Sequence, residues 1–185
     1  MIDVIEAKIV ETLKNATGLR YLTTVETYGG ELDDDLGEIV RKYPAIWVVY
    51  AGSQKPQKIG PEKYKTTATF ALIHAARNVK NESATRMGSA GEVGVYQMLK
   101  DSSTLLLNSD LGLEIGLFQP GAVRSLYNTK VRGKGLCIFS QEWTTQFIQS
   151  VPAKEEVDLL SFGVNYYLKP GDDVADATDE IILGG

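Results

Sequence analysis

Apolar positions recur at helical spacing from the start of the chain. Ile2, Ile5, Ile9 and Leu13 lie three or four residues apart, the interval that lines one face of a 3.6-residue turn. Asp3 with Glu6 has capping-box spacing and Gly18 is a candidate stop, so the first helix is predicted here. The period then changes to two: Tyr21, Thr23, Val25 and Thr27 alternate through 20–28, predicting a strand that ends at Gly29-Gly30. A second helix is predicted over 35–43. Leu36, Ile39, Val40 and Tyr43 share a face, Asp35 and Glu38 repeat the capping-box spacing, and Pro44 ends it. Residues 45–50 (AIWVVY) are apolar throughout, as expected of a central strand covered on both faces. Residues 51–61, with two glycines and two prolines, predict a loop.

The longest alternation runs over 64–76 and puts Tyr64, Thr66, Ala68, Phe70, Leu72 and His74 on one face. Residues 79–91 are small, polar and aperiodic, which predicts a long loop. A third helix is predicted over 92–107 with Tyr96, Leu99, Ser103 and Leu106 on its inner side. Leu113, Ile115 and Leu117 predict a strand ending at Pro120-Gly121, and Cys137, Phe139, Trp143 and Phe147 share one face of a last body strand over 136–148. The order α-β-α-β-β-α-β-β predicts an α+β domain over 1–152. It comprises a mixed or antiparallel sheet of about five strands packed by about three helices. Residues 153–185 are predicted to be an extended C-terminal arm, acidic and carrying two β-prone segments, 161–168 and 180–183.

Composition narrows the class. With 185 residues, 43% of them hydrophobic, the chain buries roughly 70% of the surface it would expose unfolded, so it needs no disulfide or metal to hold a core. The apolar runs are too short to span a bilayer. Asp3, Glu6 and Glu11 stand where a secretion signal is apolar, so an intracellular soluble protein is expected.

Charge is segregated. The chain carries a net −5, yet 153–185 holds eight acids against two bases. Residues 55–86 hold seven bases against two acids, Lys55, Lys58, Lys63 and Arg86 among the bases. Arg124, Lys130, Arg132 and Lys134 follow with no acid between Glu114 and Glu142. Unlike charge on opposite flanks suits head-to-tail association with further copies. The basic flank is therefore expected to meet acids of a neighbour, with Glu31, Asp33 and Asp34 as candidates. Phe162, Val164 and Tyr166 are candidates for strand pairing in trans with a partner's sheet edge.

Candidate chemistry is sparse. Asp33-Asp34-Asp35 is explained by capping and the helix dipole. His74 is the single histidine and Cys137 the single cysteine; each sits on an apolar face, and no third group is evident to orient them as a pair. Gly88, Gly91 and Gly94 form G-x-x-G-x-x-G, which is neither the dinucleotide fingerprint nor a phosphate loop. No catalysis, metal or cofactor is expected. A hydrolase using Cys137 or a serine would need a second histidine or a nucleophile elbow. A DNA-binding module built on 55–86 conflicts with the net negative charge.

One resemblance adds a role. It rests on the N-terminal helix, Tyr28-Gly29-Gly30-Glu31-Leu32 and Tyr43-Pro44-Ala45-Ile46-Trp47-Val48. Gly94-Val95-Tyr96-Gln97-Met98-Leu99 and Leu111-Gly112-Leu113 leading into Leu117 to Pro120 complete the set. In this order over residues 1–150 they resemble the phage Mu tail-terminator family, a Mu-like prophage protein. The resemblance implies a ring, expected to be hexameric, that caps a contractile phage tail or a phage-derived tail-like particle, in the virion after assembly in the host bacterial cytoplasm. Its implied partners are further copies of itself, the tail tube and tail sheath proteins, and the head–tail connector of the neck. It implies no membrane partner and no specific nucleic acid. A neck or head-completion protein one layer nearer the capsid is the alternative. The family has no catalytic motif to carry over.

Overall fold

The computed structural model describes residues 1–30, 42–77, 86–88, 93–126, 135–151, 161–169, 171 and 173–182. Along the chain run α1 (Ile2–Asn15), a 3₁₀ turn (Thr17–Leu19), β1 (Thr24–Thr27), β2 (Ala45–Ser53), β3 (Gln57–Gly60) and β4 (Lys63–Arg77). Then come α2 (Val95–Leu106), β5 (Gln119–Ser125), β6 (Leu136–Ser150), β7 (Ser161–Tyr166) and β8 (Ala177–Ile182). They fall into two units, Met1–Ser150 and Val151–Gly185.

In the first unit β4 and β6, the two longest alternating segments, pair antiparallel along their full length, from Lys63↔Ser150 to Arg77↔Leu136. The strand order is β1-β2-β4-β6-β5, with β3 also on β4. β1 joins β2 in parallel and the other pairs are antiparallel, so this is a mixed sheet of an α+β fold. The inward face of β4 carries Thr66, Ala68, Phe70, Leu72 and His74, all buried as the alternation predicts. Ile5, Ile9 and Leu13 of α1 and Val95, Met98 and Leu106 of α2 close the same cluster with Trp143 and Phe147 of β6. β2 is covered on both faces as expected: Ile46 and Val48 join that cluster, while Ala45 and Trp47 pack with Ile73, Ala75, Leu136 and Ile138 on the other side.

Several boundaries differ from the pattern. Among the described residues there are two α-helices and not three; the helix expected over 35–43 falls largely on residues 31–41, outside the described ones. The main sheet has six strands rather than five, because β3 forms within the predicted loop 51–61. Gln57 and Lys58 reach the end of β4 opposite Lys65 and Tyr64, and a strand overhang with open backbone groups favours such pairing. α1 begins one residue before Asp3, with no side-chain cap. It ends at Asn15, so Gly18 sits in the 3₁₀ turn and not at a helix stop. The first strand starts only at Thr24.

The α2 seam is Val95, Met98, Ser102 and Leu106, with Tyr96 and Leu99 rotated away from its centre. The strand predicted at 113–118 is instead a tight irregular turn. Asn108, Leu111 and Gly112 take positive φ, and Gly112 N–H donates to Asp110 Oδ1 at 2.8 Å. This turn inserts Phe118, fully buried, under Phe70. The chain then enters β5 through Pro120, which a strand tolerates at an edge or a bulge, and β5 has both.

In the second unit, β7 and β8 pair with each other, from Ser161↔Ile182 to Tyr166↔Ala177. The two β-prone segments were expected to be unpaired until a partner is met. They satisfy their backbone groups in cis instead.

Candidate assembly surfaces

Past the pairing of Ser53 with Ala68 the chain continues through 54–56 into β3, held by Gln54 N–H donating to the Thr67 carbonyl at 3.0 Å. The result is a long hairpin with β4 whose end gathers Lys55, Lys58, Lys63 and Lys65. Lys58 lies across from Tyr64, Lys65 lies between Gln57 and Ile148, and Lys63 lies opposite Ser150. Lys55, Lys58 and Lys63 are exposed, and none of the four makes an ion pair among the described residues. Ile148 and Ile59 beside them are also exposed, at 54% and 49%. Arg86 is half-buried. Arg124 is engaged: it donates to Glu142 Oε1 at 2.9 Å, an exposed pair of small energetic value. Arg124 pairs with Ser140 and Lys63 with Ser150, so the two basic stretches stand about 30 Å apart along β6. Glu31, Asp33, Asp34, Lys130 and Arg132 lie outside the described residues.

The second unit offers the opposite charge. Phe162, Val164 and Tyr166 stand in β7 opposite Ile181, Asp179 and Ala177. Tyr166 is 48% exposed and Leu168, just past the strand, 83%. The turn is closed by Asp176, whose N–H donates to the Tyr166 carbonyl while its Oδ2 accepts from Leu168 N–H, each at 2.8 Å. Asp173, Asp179 and Glu180 remain exposed along it.

A groove of about 700 Å³ lies between the start of α1 and the sheet, with Ile2, Tyr50 and Phe147 on its walls and Asp3 and Glu6 at its margin. No sequence signal marks it, since its walls come from four separate elements. Among the described residues no three His, Cys, Asp or Glu side chains gather as metal ligands, and no helix is long and apolar enough to cross a membrane.

His74 is fully buried, as expected of a packed histidine. Its Nδ1 lies 3.1 Å from the Leu72 carbonyl and its Nε2 3.0 Å from Ser102 Oγ. A carbonyl only accepts, so the proton sits on Nδ1 and Ser102 donates to Nε2. Ser102 then has no proton left for Gln141, 3.0 Å away. Gln141 Nε2 donates to Ser103 Oγ at 2.7 Å, and Ser103 gives its own proton to the Leu99 carbonyl at 2.7 Å. Burial holds the imidazole pKa down at about 4, against the backbone carbonyls of Leu72 and Phe139. A neutral ring with both nitrogens engaged beneath α2 has no access to substrate. Cys137 is half-buried opposite Ala76. Nearby, Tyr21 donates to Asp101 Oδ2 at 2.9 Å; burial and that carboxylate push its phenol well above the usual range. The polar groups around α2 thus fasten it to the body.

Gly94, the N-cap of α2, approaches the backbone of 86–88 so closely that a Cβ would stand 2.3 Å from the Arg86 oxygen and the Gly88 nitrogen. Packing therefore accounts for Gly94 of the G-x-x-G-x-x-G run, and Gly88 takes a φ of 90°.

Residues 1–148 match the family described as Bacteriophage Mu, Gp37. The chain belongs to that family. The match spans nearly all of the first unit and leaves β7 and β8 outside it. Membership in the Gp37 family makes this a phage Mu-type protein, in line with the resemblance in the sequence. No curated protein matches the chain.

Proposed function

We propose that this Gp37-family protein is a structural virion component that works as a tail terminator. Copies close into a ring, six in the form the resemblance implies, that caps the tube and sheath of a contractile tail and presents its other side to the neck. The observation that carries this reading is the family match across residues 1–148. Two unlike charged patches on one chain support it, because a closed ring needs a heterologous contact. The role requires no chemistry, and we assign none: His74 serves packing and Cys137 lies within the sheet.

Interrupting the gene in a phage that carries it tests the role. A lost terminator leaves overlong tubes and sheaths beside filled heads in electron micrographs. Normal-length tails without heads would assign the protein to the neck connector instead. The purified chain should sediment as a species of six subunit masses and show no hydrolytic turnover. Turnover abolished by His74→Gln or Cys137→Ser would overturn the structural role, and a steeply salt-dependent gel shift with DNA would point to the basic hairpin as a nucleic-acid surface.

A further inference from the structure

The C-terminal hairpin has no core of its own. β7 and β8 form a two-stranded sheet in a unit that contains no helix or third strand among its described residues. Such a ribbon is marginal in water by itself. Cross-strand register puts Val164, Tyr166, Ala177 and Ile181 on one side together with Asp179, and Asn165, Thr178 and Glu180 with only Ile182 at the strand end on the other. Thr178 Oγ1 donates to Asn165 Oδ1 at 3.1 Å on that polar side. The apolar side is therefore the one that gains by being covered, and the acids around it select what covers it.

A receiving surface of matching character exists on the first unit. The outer face of the β4–β6 pair toward its Lys63↔Ser150 end carries Lys65, Ile148, Thr67 and Gln146 in direct register. Ile148 is 54% exposed and Gln146 is exposed. Lys63, opposite Ser150, lies on this same face at the hairpin end, while Lys58, opposite Tyr64, lies on the other. It sets exposed Ile148 beside Lys63 and Lys65, where the apolar side of the C-terminal hairpin sets Val164, Tyr166 and Ile181 beside Asp179.

We propose that the β7–β8 hairpin of one copy docks by its apolar side on this lysine-rimmed sheet face of a second copy. Asp173 and Asp179 then meet Lys63 and Lys65 head to tail. Because donor and acceptor surfaces differ, each copy gives one hairpin and receives one, which propagates around a ring. The contact deepens the ring reading above and rests on it. It also assigns the acids that meet the basic hairpin to the C-terminal unit.

Charge reversal with mixing tests it. One full-length variant carries Lys63→Glu and Lys65→Glu; the other carries Asp173→Lys and Asp179→Lys. Each alone should assemble roughly tenfold more weakly than the parent in sedimentation at physiological salt, where charges act over about 8 Å. An equimolar mixture should recover assembly, since the hairpin of each variant now complements the sheet face of the other. Three results would overturn the contact. Variants that assemble as the parent does would leave the ring reading intact and remove the hairpin from it. Failure of the mixture, with recovery only when all four changes share one chain, would place the hairpin on its own body. A parent that stays monomeric across the concentration series would remove the ring itself. Circular dichroism of each variant separates loss of docking from loss of folding.

Discussion

A single histidine gives this protein a clean pH signature. Burial holds the His74 pKa near 4 in the native state, against about 6.5 in the unfolded chain. The native form thus binds fewer protons. Stability is full above pH 6.5 and falls as the pH drops through the unfolded value, levelling near the folded one. Between pH 7.5 and 5 the loss is about 2 kcal/mol, from roughly 1.4 kcal/mol per unit below 6.5. Denaturant midpoints across that range should show it, and His74→Gln should flatten the slope whatever its effect on absolute stability. An unchanged slope would mean that the unfolded histidine is not the proton acceptor. The burial of His74 is legible in the sequence from its place beside Phe70 and Leu72. Its partner Ser102, and Gln141 beside that serine, are not, because they come from α2 and β6, 28 and 39 residues apart from their contacts.

At the scale of elements, the docking of α2 depends on the close approach at its first turn. Gly94 has an ordinary φ of −88°, so an added methyl group brings no backbone strain and the whole effect is collision with residues 86–88. Gly94→Ala should cost on the order of 2–3 kcal/mol, as overpacking of rigid backbone does. Amide exchange should quicken through α2 before β4. Retained protection in α2 would show that 86–88 moves aside at little cost. Long strands were legible because alternation repeats many times: β4 and β6 fall within two residues of their predicted ends. Short segments were not. Residues 113–118 alternate like a strand, but the positive φ at Leu111 and Gly112 and the burial of Phe118 impose a turn, and no local pattern carries that information.

For the molecule as a whole, both apolar clusters belong to the first unit, so its stability should not need the second. A chain ending at Ser150 should unfold at the midpoint of the parent's main transition, within a degree or two, by calorimetry under conditions where both are monomeric. A larger drop would show that the hairpin supports its own body. The same truncation removes eight acids and two bases, turning a net −5 into +1. It should elute from cation exchange at neutral pH where the parent does not bind, and it should lose assembly along with the hairpin.

The sequence by itself determined the fold class, the long strands, the inner face of α1 and the double burial of β2. It also limited the chemistry through one histidine and one cysteine, and segregated the charge. Those properties are local or additive: periodicity repeats every two or 3.6 residues, and charges are counted wherever they lie. Only the tertiary structure decided which side of α2 faces inward, since Ser102 goes to the core by finding His74 and Gln141 there. It alone decided that β3 forms, since that needs the free end of β4 beside it. It decided too that Lys58 and Arg124 belong to different ends of the sheet, and that two β-prone segments on an acidic stretch pair with each other. Each of these depends on which distant backbone is within hydrogen-bonding reach, and that is settled when strands choose their register.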